Sequence, residues 1–560
     1  MAKLYEALAE AFHAEGVDTQ FVLMGDGNMH WSTAFAKLPG VHSVHVRHEH
    51  VTVAAATAYN VATGKVAVAS VTCGPGVTQL MTALPAAARA RLPMVVFAGE
   101  APINAKFYNQ AIDQAPLVTA TGAKYIAAHS VPRMMDYVRE AFHVAKSERC
   151  PVVLGIPYDL QKVEYMANAP YETSAMYHPK AGRVHPDPEL VAEAVERLAA
   201  AKRPIIFGGR GVLWSGAREA VVRLADRCGA LLSNTLPTRG LFHDHPYGLG
   251  IAGSYFSSLG REMFESADLV LAVGTSLSYY VGVGHFWGKS FKIQVDDAPR
   301  GLRDGQKAAD LYVRSDARVG VEAILAGLDK KLGANKPTAA TIRTKELAHR
   351  IATEPADAMP FDIEPGVLDP REVIKALDPV IPKDWDIVIG GGHQAYFNTQ
   401  MRGRPADRYT TVREFGAVGN GLSYALGVAA ARRQGRDGKV VLFEGDGGLL
   451  FHIQELETLK RQGYRILICA MNDGGYGSEF HKLRADGIDD SLALFGRPPL
   501  ENIARGFGLR GHEIRDVSVI PKLFADFAAQ GESEVWNIQI SDTVTAPVIR
   551  QTIKRGHGNM

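Results

Sequence analysis

The sequence predicts an α/β fold made of several mainly parallel sheets. Two observations carry this. Short apolar runs that end in glycine-rich turns alternate with helical patterns along almost the whole chain, the signature of buried parallel strands joined by crossover helices. The length, 560 residues, is also enough for three or four domains. Taken in order, the strand-like runs include 41–46, 66–71, 94–98, 204–207, 269–273, 439–443 and 465–469. Two stretches read as linkers. One, 167–188, is rich in Pro, Tyr and polar residues; the other, about 333–369, carries Pro337, Pro355, Pro360 and Pro365 around a helical piece. They divide the chain into blocks at 1–168, 188–332 and 365–560. No short-period repeat and no low-complexity tract interrupts this pattern.

Composition narrows the function classes. Hydrophobic residues make up 46% of the chain and charged residues 22%, as in an ordinary globular protein. Lys and Arg together number 61 against 60 Asp and Glu, so there is no electrostatic case for nucleic acid or an acidic membrane surface. No apolar run is long enough to predict a membrane span, and the first residues, Met1-Ala2-Lys3-Leu4-Tyr5-Glu6, do not resemble a signal peptide. Cys73, Cys150, Cys228 and Cys469 are scattered without a C-x-x-C pair, which argues against zinc or a disulfide framework and fits a cytoplasmic protein.

The strongest local signal is a pair of acidic turns. The run Val440-Val-Leu-Phe-Glu ends in Gly445-Asp446-Gly447-Gly448, a helical pattern follows through Ile453, Leu456 and Leu459, and a second strand ends in Asn472-Asp473-Gly474-Gly475. Both carboxylates then sit at carboxyl ends of parallel strands, where open α/β sheets place their ligands. Mg²⁺ takes one or two protein carboxylates and fills its octahedron with phosphate oxygens and water. Asp446 and Asp473 supply the carboxylates, with the Gly475 carbonyl as a further ligand. Gly447 and Gly448 let the backbone approach a diphosphate. Taken alone, each turn is commonplace. The pair, at this spacing, resembles the thiamine-diphosphate motif.

A second feature fits the same resemblance. The strand at 41–46 runs into Arg47-His48-Glu49-His50 and then a helical run of small residues. In that family a glutamate at such a strand–helix junction hydrogen-bonds the cofactor's aminopyrimidine and relays a proton. Glu49 matches it, and a buried carboxyl with a raised pKa is expected. The resemblance now covers nearly the whole chain. The sequence is similar to the acetolactate synthase, pyruvate decarboxylase and benzaldehyde lyase group, which implies three Rossmann-like domains: pyrimidine-binding, central and diphosphate-binding.

Further positions follow from the resemblance. Gly392, His393 and Gln394, in Gly390-Gly-Gly-His-Gln, match a diphosphate-contacting stretch. In Phe415-Gly-Ala-Val-Gly-Asn-Gly421, Val418 takes the place of the apolar residue beneath the cofactor and the Gly416 carbonyl that of the acceptor from its amino group. Gly76 closes a turn, Thr72-Cys-Gly-Pro-Gly76, like the one beside the pyrimidine. Asn28 and His30 fall on the loop above the reacting carbon, although Asp26 replaces the usual proline. Glu479 stands where decarboxylases carry a proton-transfer glutamate, with His481 beside it. In the central block, Thr275-Ser-Leu-Ser-Tyr279 replaces the Arg-Phe-Asp-Asp-Arg signature of acetolactate synthases. That departure counts against FAD.

The resemblance implies an enzyme that uses thiamine diphosphate and Mg²⁺ to make or break a C–C bond in a 2-oxo acid, aldehyde or acyloin, with acetolactate synthase as the nearest pattern. Benzaldehyde lyase-like and benzoylformate decarboxylase-like activities are the alternatives. It also implies a homodimer or homotetramer with Glu49 and the acidic pair supplied by different chains. A nicotinamide-dependent oxidoreductase is the rival from another class, but no convincing G-x-G-x-x-G supports it.

Overall fold

The computed structural model describes residues 2–166, 169–283, 287–298, 302–303, 305–335, 337–433 and 439–555. Its main strands form three six-stranded sheets. The first contains β1 (Thr19–Val22), β2 (His42–His45), β3 (Ala67–Val71), β4 (Met94–Glu100), β5 (Lys124–Ala127) and β6 (Pro151–Pro157), all parallel, in the order β2-β1-β3-β4-β6-β5. Strands β3, β4 and β6 are buried almost throughout, which is why they read as unbroken apolar runs. Helix α1 (Glu49–Thr63) follows β2. The His48 side chain caps it by accepting from the His50 N–H, and Gly64 ends it at φ +71°.

The second sheet holds β7 (Pro204–Gly208), β8 (Leu231–Asn234), β9 (Gly248–Ile251), β10 (Leu269–Val273), β11 (Phe291–Asp296) and β12 (Leu311–Arg314), all parallel in the order β9-β8-β7-β10-β11-β12. The direction of travel reverses between β7 and β10, where open sheets form a crevice. Helix α2 (Lys345–Thr353) is the helical piece of the long Pro-containing stretch.

The third sheet comprises β13 (Asp386–Ile389), β14 (Tyr409–Thr410), β15 (Val440–Gly445), β16 (Ile466–Asn472), β17 (Arg510–Ile514) and β18 (Glu534–Gln539), in the order β14-β13-β15-β16-β18-β17. Between its strands lie α3 (Gly421–Arg433), α4 (Asp446–Phe451), α5 (Glu455–Gln462) and α6 (Gly477–Ala485). Strands β15 and β16 run further than their apolar letters suggest. The ladder continues through Glu444 opposite Ala470 and Gly445 opposite Met471, so the polar ends belong to the strands.

The three sheets group into two compact units. One is Met1–Pro179, Ile363–Ala395 and Thr410–Asp542; the other is Lys180–Asp362, Tyr396–Tyr409 and Thr543–Met560. In the first, the two sheets share one apolar core that runs from Phe21 to Val535. Helices α1 and α3 meet inside it. Ala54, Ala55, Ala56 and Ala58 are all buried. A Cβ on Gly427 would fall 2.0 Å from the Ala55 carbonyl oxygen. The small residues of α1 are therefore the price of close helix packing on one side and sheet packing on the other.

Candidate active site

The first unit brings the two acidic turns together. Strands β15 and β16 are neighbours in register, so the loops that leave their carboxyl ends start side by side. Asp446, almost fully buried, opens α4. Its Oδ1 accepts from the Gly447 N–H at 2.8 Å and its Oδ2 from the Gly474 N–H at 2.9 Å. One carboxylate thus ties both loops. Asp473 is buried beside it. Burial and the Asp473 charge push the Asp446 carboxyl well above the carboxylate range, and burial does the same for Asp473. Two neighbouring buried acids with raised proton affinity are a charge arrangement that a divalent cation relieves. Gly475 donates its N–H to Asp473 and lies against the backbone at 493–494, where a Cβ would meet the Ala493 carbonyl at 2.5 Å.

The Gly390-Gly-Gly-His-Gln stretch follows β13 and borders the same loops. Asp473 Oδ2 is 3.8 Å from His393 Nδ1. A Cβ on Gly445 would sit 3.6 Å from the Gln394 side chain. Gly392 takes φ +103° with open space where a Cβ would be, as a backbone cradle requires. On Gly447, a Cβ would press on the Tyr476 ring. Gly448 faces inward instead, where its Cβ would strike the Glu444 carboxyl. His481 is buried against His393, ring centroids 4.6 Å apart, and burial lowers its pKa to about 3. Glu479, two residues earlier on α6, is exposed.

The segment with Gly416 and Val418 adjoins this cradle. A Cβ on Gly391 would lie 3.0 Å from the Ala417 carbonyl and 3.3 Å from the Val418 Cα. Gly416 is exposed at φ +73°, and Val418 is half-exposed rather than part of the core.

Glu49 begins α1 and is half-buried. Its neighbours anchor the helix start to the third sheet's connections. The His50 Nε2–H donates to Asn420 Oδ1 at 2.5 Å, the His452 Nδ1–H donates to the Gly419 carbonyl, and the Arg47 N–H donates to Glu455. Asn28 is fully buried. Its amide donates to the Leu23 carbonyl and Ser70 Oγ and accepts from the Gly25 N–H, so it holds the 23–28 loop in shape. His30 packs between Tyr5 and Tyr158, and burial lowers its pKa. Gly76 is buried under Thr72, and the adjacent Gly74 N–H donates to Gln114 Oε1.

Two residues at this site escaped the sequence reading. Glu444 is fully buried, and a Cβ on Gly390, Gly421 or Gly448 would collide with its carboxyl; burial raises its pKa to about 8. A carboxyl letter inside an apolar run was the available signal. Arg497 lowers the proton affinity of both Asp446 and Asp473 through its charge, and nothing local in its loop marks it.

Sequence models of the thiamine pyrophosphate enzymes match in three places: the N-terminal TPP binding domain over residues 2–117, the central domain over 191–324 and the C-terminal TPP binding domain over 390–535. The chain belongs to the thiamine pyrophosphate enzymes. Among similar curated members, a probable 2-ketoarginine decarboxylase of Pseudomonas aeruginosa is 28% identical over 542 residues, covering 94% of this chain and 92% of that one. Acetolactate synthase large subunits of Parasynechococcus marenigrum and Mycobacterium tuberculosis are each 28% identical, covering 94% and 96% of this chain and 85% and 96% of their own. The protein is thus a thiamine-diphosphate enzyme of the acetolactate synthase and decarboxylase type. The acid pair and the open glycine cradle suit a metal-bound diphosphate. No helix among the described residues is long and apolar enough to cross a membrane.

Proposed function

We propose that this protein is a Mg²⁺-dependent carboligase or decarboxylase of 2-oxo acids, acting in the manner of acetolactate synthase. The observation that carries the reading is the Asp446 carboxylate spanning the Gly447 and Gly474 N–H groups with Asp473 buried beside it. Asp446, Asp473 and the Gly475 carbonyl would hold Mg²⁺. His393, Gln394 and the N–H groups of Gly392, Gly447 and Gly448 would bind the diphosphate. The Gly416 carbonyl, Val418 and the Gly76 turn would orient the aminopyrimidine.

Thiamine diphosphate, when bound, supplies a carbon nucleophile that adds to a carbonyl and takes up the electrons of the breaking C–C bond. Glu49 would hold and pass a proton at the pyrimidine nitrogen. Glu479, exposed at the first turn of α6, would exchange a proton with substrate, and His481, packed against His393, would support it. Asn28 and His30 act through the loop and the aromatic packing that they fix. We assign residues 1–168 to pyrimidine binding, 188–332 to the central domain and 365–560 to the diphosphate and metal, within a homodimer or homotetramer. Phe415, Phe451, Tyr476 and Leu492, all exposed on segments that follow strands of the third sheet, suit coverage by a second subunit.

The test is incubation with thiamine diphosphate, Mg²⁺ and a panel of pyruvate, benzoylformate, 2-ketoarginine, aldehydes and acyloins, read by mass spectrometry. We expect CO₂ release or acyloin formation from a 2-oxo acid. Turnover of none of them, or turnover unaffected by a metal chelator, overturns the proposal.

A further inference from the structure

Two histidines far apart in sequence meet at the start of α1. His50 lies in its first turn, and His452 directly follows α4, the short helix that opens on Asp446. Both are buried. Their rings stack, with centroids 4.8 Å apart and planes 19° from parallel. The His48 ring backs them, 5.5 Å from that of His452, and its Nδ1 accepts from the His50 N–H at 3.1 Å. Burial lowers the pKa of His50 and of His452, so at neutral pH each is uncharged and has one ring N–H to give.

Those two N–H groups go to consecutive residues. His50 Nε2–H donates to Asn420 Oδ1 at 2.5 Å, and His452 Nδ1–H donates to the Gly419 carbonyl at 2.8 Å. Asn420 is also tied into α3. Its carbonyl accepts from the Tyr424 N–H at 2.9 Å, and its amide donates to the Tyr424 hydroxyl at 3.2 Å. Gly419 stands at φ +87°, where a Cβ would fall 2.6 Å from that of Phe451. Residues 419–420 are thus held by α1, by α3 and by the end of α4. Just before them the chain emerges: Val418 is half-exposed and Gly416 exposed. Burying two imidazoles costs desolvation that an apolar pair would not incur, which points to what they hold rather than to packing.

We propose that His50 and His452 are positioning residues for thiamine diphosphate: the stacked pair pins residues 419–420 and so fixes Val418 and the Gly416 carbonyl, one and three residues earlier, for the aminopyrimidine. This rests on the proposed contacts of Gly416 and Val418 with the cofactor. A segment ordered before the cofactor arrives loses little conformational entropy on binding, whereas a loose one must be ordered by the cofactor itself, at a loss of affinity.

The test uses the full chain with Mg²⁺ and reads thiamine diphosphate affinity by calorimetry and, without cofactor, amide hydrogen exchange over residues 415–424 by mass spectrometry. His50→Leu and His452→Leu remove the donors; His50→Gln and His452→Gln keep one. Each leucine variant should bind the cofactor about tenfold or more weakly and exchange faster over that segment, while the glutamine variants stay within about threefold of the parent. Should a leucine variant not fold by circular dichroism, Asn420→Ser takes its place, since serine still suits a helix start but draws the acceptor away from His50. Unchanged affinity or unchanged exchange in the folded variants overturns the proposal, and so does equal loss in the leucine and glutamine variants. Val418→Asp separates the two readings. If it weakens binding while the histidine variants do not, the clamp alone fails; if it leaves affinity unchanged, the assignment of Gly416 and Val418 to the cofactor falls, and the proposal with it.

Discussion

Asp446 joins two turns with one carboxylate, so its loss opens both loops and removes half the charge that would hold a divalent cation. Asp446→Ala should abolish Mg²⁺-dependent retention of thiamine diphosphate on a desalting column; normal retention would remove it from the metal site. Glu49→Gln keeps the shape of the α1 start and loses only the exchangeable proton. Cofactor affinity should stay within a few-fold while turnover falls at least about tenfold, measured by titration and by initial rates. His50 offers a prediction in pH. It packs among His48, His452 and Asn420, and burial lowers its pKa to about 4. The unfolded chain, with an ordinary value near 6.5, binds the extra proton in between. The stability owed to neutral His50 is therefore complete above about pH 6.5 and lost as pH falls toward 4, by at most ~3 kcal/mol. Urea midpoints of His50→Gln should fall less steeply over that window than those of the parent. Parallel slopes would show that His50 does not set them.

At the scale of elements, the pairing of α1 with α3 is the contact that joins the first and third sheets in one unit. It depends on Gly427, where a Cβ would drive into the Ala55 carbonyl. Gly427→Ala should cost about 1–3 kcal/mol, read as a lower denaturant midpoint at unchanged slope. A neutral result would mean that the helices separate freely. Much at this scale was legible. The strands β3, β4, β7, β10, β15 and β16 announce themselves because burial on both faces demands apolar letters throughout. The alanines of α1 signalled a helix, but not which helix would face it, since Gly427 lies far along the chain and one glycine in a helical pattern has many uses. The two acidic turns were legible because each is contiguous in sequence and the two recur at the spacing of the thiamine-diphosphate motif, although either alone reads as an ordinary turn. Glu444 was not, because the glycines that hem it in, Gly390, Gly421 and Gly448, come from separate segments and acquire meaning only together.

For the whole molecule, the family resemblance implies that Glu49 and the acid pair of one active site come from different chains. Light scattering at assay concentration should therefore find a dimer or tetramer, and an active monomer would contradict it. The division into units shows what block lengths in sequence do not: residues 396–409 belong to the second unit, although the chain on either side of them, with Gln394 and Gly416, belongs to the first. The α1–α3 contact also has a consequence for synthesis. The alanine-rich side of α1 emerges from the ribosome roughly 360 residues before α3, an interval on the order of 20–70 s at typical elongation rates. Throughout it, a sticky apolar flank waits for its mate, so nascent chains arrested before residue 421 should recruit holdase chaperones that release once α3 has itself cleared the ribosome.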